Sequence, residues 1–340
     1  MGESSLARVK EQSREKSAAR RWNLASLYMT LPLLLVGYYY YGADMFRLAA
    51  IPALAAVACE AVASRLILRR RTVDDWNAVV IGLWIACMLP AGCAPWLGAV
   101  GSAFAVLVVK IPFGGVESAP FIPAAAGFAF LTVCFPDRVF AYVPSELAAP
   151  AAYSSLTFLL RGGHFVPDTR YLTEIVMGQT VGPMGTGGIF VIAAVLLGSF
   201  LLKQRRTAAL ASLSFLVTAA LLAYIFPRAG GSRLDSVWME LCSGSLAFAA
   251  VYLLPDPATL PRRWYTRAAY GAAAAALTML LRGLGSYEEN VCFALLLANA
   301  AMPLMIRIKL ERRHWMEVSV EKMRQLKPGA KNIGKEAENA

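Results

Sequence analysis

From Ala25 to Ile306 the sequence is a succession of apolar runs, most of them closed by arginines and lysines or by a glycine-proline turn. A helix of about 20 apolar residues spans the hydrocarbon core of a bilayer, so such a succession leaves few folds open. Only 16% of residues are charged against 58% hydrophobic, too few to cover a water-soluble domain of 340 residues. The reading is an all-α integral membrane protein with about ten transmembrane helices. The predicted layout is a basic N-terminal segment (1–24), expected as a short surface helix, a transmembrane domain (25–308) with one long outer interval (136–188), and a basic tail (309–340).

The net charge of +11 does not read as a nucleic-acid footprint, because the basic residues sit at the ends of apolar runs and not on one soluble face. They set topology instead. Six Lys/Arg in the first 24 residues, Arg69–Arg71, Lys203 with Arg205 and Arg206, Arg262 with Arg263 and Arg267, and the tail from Arg307 all mark the cytoplasmic side. Both termini are therefore expected in the cytoplasm, with no cleavable signal peptide, in a bacterial inner membrane. An even number of crossings follows, and five per half fits two inverted repeats. The tyrosines Tyr38–Tyr41 read as an interfacial belt, and the six cysteines, without a CxxC spacing, as small buried hydrophobes.

Residues 110–127 break this pattern with Lys110, Pro112, Gly114, Gly115, Glu117, Pro120 and Pro123. Irregular backbone at membrane depth is tolerated only where it is buried in protein or lines a wet cavity, since lipid cannot satisfy its polar groups. The stretch predicts a broken-helix site of the kind transporters build around ions and anionic ligands. A second glycine group, Gly178 and Gly182–Gly188, precedes the run from Ile189. Glu60 lies within an apolar run, where an acid is costly unless paired or hydrated; it is either an ion or proton ligand or a paired or helix-end acid. Asp256, between Pro255 and Pro257, is either an ion ligand or a helix-end acid held by Arg262 or Arg263. Neither His164 nor His314 has metal-ligand spacing, and no Walker or Rossmann glycine pattern occurs.

Four ordered segments resemble one family, the D-type membrane protein of the Rnf ion-pumping electron-transport complex and its relative, the B-type membrane protein of the sodium-pumping NADH:quinone reductase. The first is Leu89-Pro90 and Ala94-Pro95-Trp96, then Lys110, Phe113-Gly114-Gly115, Phe121, Pro123-Ala124 and Gly127; Glu117, Ala119 and Ile122 stand where the family has Gly, Asn and Asn. The second is Ser154-Ser155-Leu156-Thr157-Phe158-Leu159 followed by Arg161-Gly162-Gly163, with Leu156 and Phe158 replacing Ala and Pro. The third is Gly178 with Gly182-Pro-Met-Gly185-Thr186, and the fourth is Pro255-Asp256-Pro257-Ala-Thr259-Leu-Pro261. Arg282, Gly285, Tyr287, Glu289, Val291, Phe293, Asn299 and Pro303 then follow in the family's spacing.

The resemblance implies one component of a redox-driven ion-translocating oxidoreductase (a translocase) and not an enzyme by itself. It implies FMN bound through a phosphoester to Thr157, with Ser155, Arg161, Lys110, Gly114 and Gly115 as cofactor-binding residues and riboflavin as a further candidate. An ordinary structural threonine is the other reading of Thr157. Implied partners are the A, B, C, E and G types of Rnf protein, a flavin transferase and membrane lipid. For the passage of Na+ or H+ the residues of interest are Asp256, Glu60 and Asn299. A second functional reading is a diverged paralogue without covalent flavin, acting as a transporter or scaffold in a related electron-export system.

Overall fold

The computed structural model describes residues 3–68, 76–115, 118–142, 155–161, 173–175, 181–202, 205–284 and 289–302, with side chains from residue 17 onward. The described residues are helical and turn, with no strand among them. The chain divides into two compact units, Met1–Asn299 and Ala300–Ala340, and the described residues belong to the first apart from 300–302. Glu117, Gly178, His164 and His314 lie outside the described residues.

Helix α1 (Glu3–Tyr41) carries the basic N-terminal segment and the first apolar run as one element. α2 (Asp44–Ala63) continues through a π-wound turn, Ser64–Leu68. α3 (Asn77–Met88), α4 (Pro95–Phe104) and α5 (Pro123–Cys134) complete the first group, and α6 (Pro136–Val139) and α7 (Leu156–Arg161) are short. α8 (Ile189–Leu201) and α9 (Arg206–Ile225) follow. α10 (Arg233–Cys242) is bent by 66° from the half-helix Leu246–Leu253, which is α11 (Leu246–Phe248) plus a π-wound turn (Ala249–Leu253). α12 (Trp264–Leu284) and an apolar helix, α13 (Val291–Met302), close the described part.

Two of the described helices, Asp44–Leu66 and Arg206–Ile225, are long and apolar enough to cross a bilayer, three if the bent pair is one span. Five shorter apolar helices accompany them. Large apolar side chains face outward along the helices, among them Leu35, Leu54, Leu66, Leu197, Val217 and Leu221. Such a surface suits lipid and not water. With hydrocarbon on both sides of each contact, close packing of small residues holds the helices together. A Cβ on Gly82 would lie 2.5 Å from Ala53 Cα, which seats α3 on α2. One on Gly271 would overlap the carbonyl of Ala211, which seats α12 on α9.

The breaks are closed from within the protein. α3 ends at Leu89-Pro90 and α4 starts at Pro95, where proline's lost N–H costs nothing. The free carbonyls of Cys87 and Leu89 accept the backbone N–H groups of Gly185 (2.8 Å) and Met184 (3.0 Å). Met184 and Gly185 of the second glycine group are thus packed against the end of α3, where a Cβ on Gly185 would collide with Cys87.

Replacing Gly271 by Leu is expected to destabilise the bundle by at least the roughly 1–3 kcal/mol typical of overpacking. Gly198→Ala, with nothing within 4 Å of its Cβ position, is expected to leave stability unchanged or slightly raised. Thermal unfolding in detergent distinguishes the two.

Candidate functional site

Buried charged and polar side chains gather at the two ends of the half-helix Leu246–Leu253, roughly 12 Å apart at an ordinary helical rise. At one end stands Asp256, in the turn that follows the half-helix. Its carboxylate accepts the Ala258 N–H at 2.9 Å. Burial pushes this carboxyl up to about 6, opposed by the Ala258 hydrogen bond and the positive fields of Arg205 and Lys110. Arg262 and Arg263, the partners expected from the sequence, are exposed.

Lys110 is the last residue of the π-wound turn Ala105–Lys110 that ends the α4 segment, and it is fully buried. Its ammonium donates to Glu60 Oε1 on α2 at 2.6 Å, and Glu60 is 1% exposed. Glu60 is thus an acid paired with a buried cation in this structure. After Lys110 the chain turns through Gly114 (φ +91°) and Gly115 (φ +113°), a backbone that side-chain-bearing residues rarely adopt. Arg205 reaches across to α1, donating to the Trp22 carbonyl (3.1 Å) and the Ser26 hydroxyl and lying over the Trp22 ring. The Tyr270 hydroxyl donates to Asn299 Oδ1. Arg205 Nε and Asn299 Nδ2 are buried donors without a partner.

At the other end the bend is Ser243-Gly244-Ser245. Glu240 is buried between two cations, Arg282 at 2.8 Å and Arg228 at 3.0 Å. Arg282 also donates to the Ser243 hydroxyl (2.6 Å) and carbonyl (2.9 Å), so one guanidinium closes the end of α10. On the far side of the bend, Ser245 donates to Glu289 through its N–H (3.0 Å) and its hydroxyl (2.6 Å). Gly244 has φ +54°, and a Cβ there would run into Glu289 Oε1 and lie 2.8 Å from Thr157 Oγ1.

Thr157 is 5% exposed and its hydroxyl is buried with no partner. α7 holds it there: the Ser155 hydroxyl accepts the Phe158 N–H at 3.2 Å, and Leu156 and Leu160 pack in an apolar cluster with Ile175, Ala229, Met239 and Cys242. Arg161 is at the exposed end of α7, and its field reaches Arg228.

The family model that matches this chain, described as the NQR2, RnfD, RnfE family, covers residues 8–314. The chain belongs to that family. It is 31% identical to the D component of the Na(+)-translocating ferredoxin:NAD(+) oxidoreductase complex of Acetobacterium woodii over 286 residues, 83% of this chain and 86% of that one. It is 29% identical to the D component of the ion-translocating oxidoreductase complex of Salmonella enteritidis PT4, over 75% of this chain and 82% of that one.

Within this NQR2/RnfD/RnfE chain the residues singled out from the sequence fall into two sets. Lys110, Gly114, Gly115, Glu60, Asp256 and Asn299 belong to the Asp256 end, and Thr157, Ser155 and Arg161 to the Gly244 end. The surroundings of Thr157 fit the family's phosphoester-linked group. An orphaned buried hydroxyl facing a residue that has no side chain, with Arg161, Arg228 and Arg282 on neighbouring elements, suits such an attachment. Sequence reasoning gave no role to Glu240, Gly244 or Glu289. The one signal for the last two was position: Gly244 between serines inside an apolar run, Glu289 within the spaced pattern after Arg282.

Glu60→Gln is expected to cost about 3–5 kcal/mol, since it strands the Lys110 ammonium, whereas Glu60→Met with Lys110→Met recovers most of the loss. Equal thermal destabilisation of both variants would contradict this. For Asp256 the folded carboxyl lies above its ordinary value, so folding takes up a proton. Its penalty is full above about pH 6 and is relieved as pH falls through 6. The stability difference between Asp256→Asn and the native chain is expected to shrink between pH 7 and pH 5.

Proposed function

We propose that this chain is the D-type membrane component of an Rnf-like ion-translocating oxidoreductase, carrying FMN on Thr157 and coupling electron transfer to movement of Na+ or H+. The observation that carries the reading is the Thr157 hydroxyl, buried, unpartnered and set against Gly244 on a segment that resembles the family's flavin-bearing one. Attachment is a phosphoryl transfer by a flavin transferase. With a flavin dinucleotide as donor, the bond from Thr157 Oγ1 to the flavin-side phosphorus forms, the bond from that phosphorus to the bridging pyrophosphate oxygen breaks, and the nucleoside monophosphate departs with the electron pair while the hydroxyl proton passes to solvent.

When bound, the flavin supplies one- and two-electron redox chemistry, and the chain supplies position and electrostatics. Ser155 caps α7 and so fixes Thr157, while Arg161, Arg228 and Arg282 set a positive field against phosphate. Movement of the ion is assigned to the Asp256 end. There Asp256 exchanges the proton or cation, Glu60 and Lys110 hold the break closed, and Asn299 with Tyr270 lines the polar interior. Riboflavin held without a covalent bond is a further cofactor of the reading.

The ten crossings and two inverted five-helix repeats belong to this proposal as well. Their support is a shared order of parts. The breaks at Leu89-Pro90 and Ser243–Ser245 are each followed by a helix that ends in a π-wound turn and runs into a proline-bearing loop, with a buried charge at the junction, Lys110 as the last residue of one turn and Asp256 just after the other.

The purified, denatured chain, co-produced with a flavin transferase, is expected to fluoresce on a gel under ultraviolet light, and Thr157→Ala to abolish the signal. No fluorescence, or fluorescence that survives the substitution, contradicts the attachment. A membrane-inserted chain without flavin would favour the second reading, a transporter or scaffold in a related electron-export system. Asp256→Asn is expected to lower ion pumping in vesicles far more than membrane insertion; equal losses would mark a structural residue.

A further inference from the structure

Three independent features meet at Gly244. Ser245 is the N-cap of the half-helix Leu246–Leu253, so its N–H stands at a helix N-terminus, where backbone donors and the helix dipole favour an anion. A carboxylate, Glu289, already occupies that position, taking the Ser245 N–H with both oxygens (3.0 and 3.1 Å) and the Ser245 hydroxyl at 2.6 Å. Beside it, 2.8 Å from where a Gly244 side chain would begin, stands Thr157 Oγ1, its residue only 5% exposed and the hydroxyl unpartnered. The hydroxyl and the carboxylate therefore face each other across a residue with no side chain.

We infer that Ser245 and Gly244 form an anion seat, that Glu289 is its resident carboxylate, and that a phosphate joined to Thr157 Oγ1 takes the seat from Glu289. The inference rests on the reading of Thr157 as the flavin-bearing residue and goes further by assigning the residues that receive the phosphate. Charge supports the exchange. Arg228 and Arg282 share the single carboxylate of Glu240 and Arg161 adds its field to theirs, so among the described residues the cations at this end of the half-helix outnumber Glu240 and favour an anion beside them. Gly244 then has two functions. Its left-handed backbone makes the bend, and its missing side chain leaves the place that Glu289 Oε1 now fills and that the phosphate takes once Glu289 has turned away. Glu289 acts as a positioning residue, keeping the half-helix N-terminus capped while the threonine is unmodified.

The test uses the full-length chain co-produced with a flavin transferase, with covalent flavin read by in-gel fluorescence and the linking phosphate by 31P NMR of the detergent-solubilised protein. Gly244→Ala is expected to lose most of its covalent flavin while Thr157 is intact. Glu289→Gln, which keeps a cap on Ser245 but removes the competing charge, is expected to retain the flavin and to shift the 31P resonance. Gly198→Ala, on α8 with open space at its Cβ position, is expected to leave the resonance in place. Native labelling of Gly244→Ala, or one unchanged 31P resonance in native and Glu289→Gln protein, overturns the seat while Thr157 keeps its flavin. Absence of covalent flavin from the native chain overturns the Thr157 reading and the seat together. Should Gly244→Ala fail to insert, the Glu289→Gln resonance decides alone.

Discussion

Hydrocarbon offers no hydrogen bonds, so every interruption of a helix in this bundle has to be closed by the protein itself. The described structure does so at each break with a different group. Backbone N–H groups of Met184 and Gly185 close the end of α3, the Arg282 guanidinium closes the end of α10, and the Glu289 carboxylate caps the half-helix that follows. Several of the buried charges are paired for the same reason. Lys110 with Glu60, and Glu240 with Arg228 and Arg282, are tolerable inside only because each faces its opposite.

This economy also separates two kinds of site. Near Asp256, Glu60 is committed to Lys110, yet Arg205 Nε and Asn299 Nδ2 are donors without acceptors. Near Gly244, the arginines are committed to Glu240, yet Thr157 has a free hydroxyl. Asn77 Oδ1, Ser102 Oγ and Arg282 Nε are unpartnered too, but at these two ends the incomplete pairing lies beside ionisable groups, where chemistry has room to enter. The half-helix Leu246–Leu253 joins the two, its first residue following the Glu289 cap and its last preceding the turn to Asp256.

Several of these parts were legible in the chain of letters. The apolar runs, the Leu89–Pro95 turn and the break after Lys110 follow from proline, glycine and charge, whose backbone consequences are local. Partnerships were not. Glu60 and Lys110 are 50 residues apart, and nothing local joins them; α2 meets the α4 segment through Pro52 and Gly98, whose packing is a tertiary fact. Arg205 reads as a marker of the cytoplasmic side, but it is 3% exposed and stacked on Trp22. The bend at Ser243–Ser245 escaped because Val237–Leu254 is apolar enough to pass as one span, and a single glycine between serines does not announce a 66° turn. α1 likewise runs unbroken through the basic segment, which the sequence suggested as a separate surface helix.

The central claim is that the interruptions are sealed by the protein and not by water. Residue-resolved hydrogen exchange on the chain in lipid nanodiscs tests it most directly, at the amides of Met184, Gly185, Ser245 and Ala258, all outside regular helix and all hydrogen-bonded within the protein. The account predicts protection comparable to the interiors of α3 and α12. Exchange of these four amides at the rate of exposed loops would contradict it.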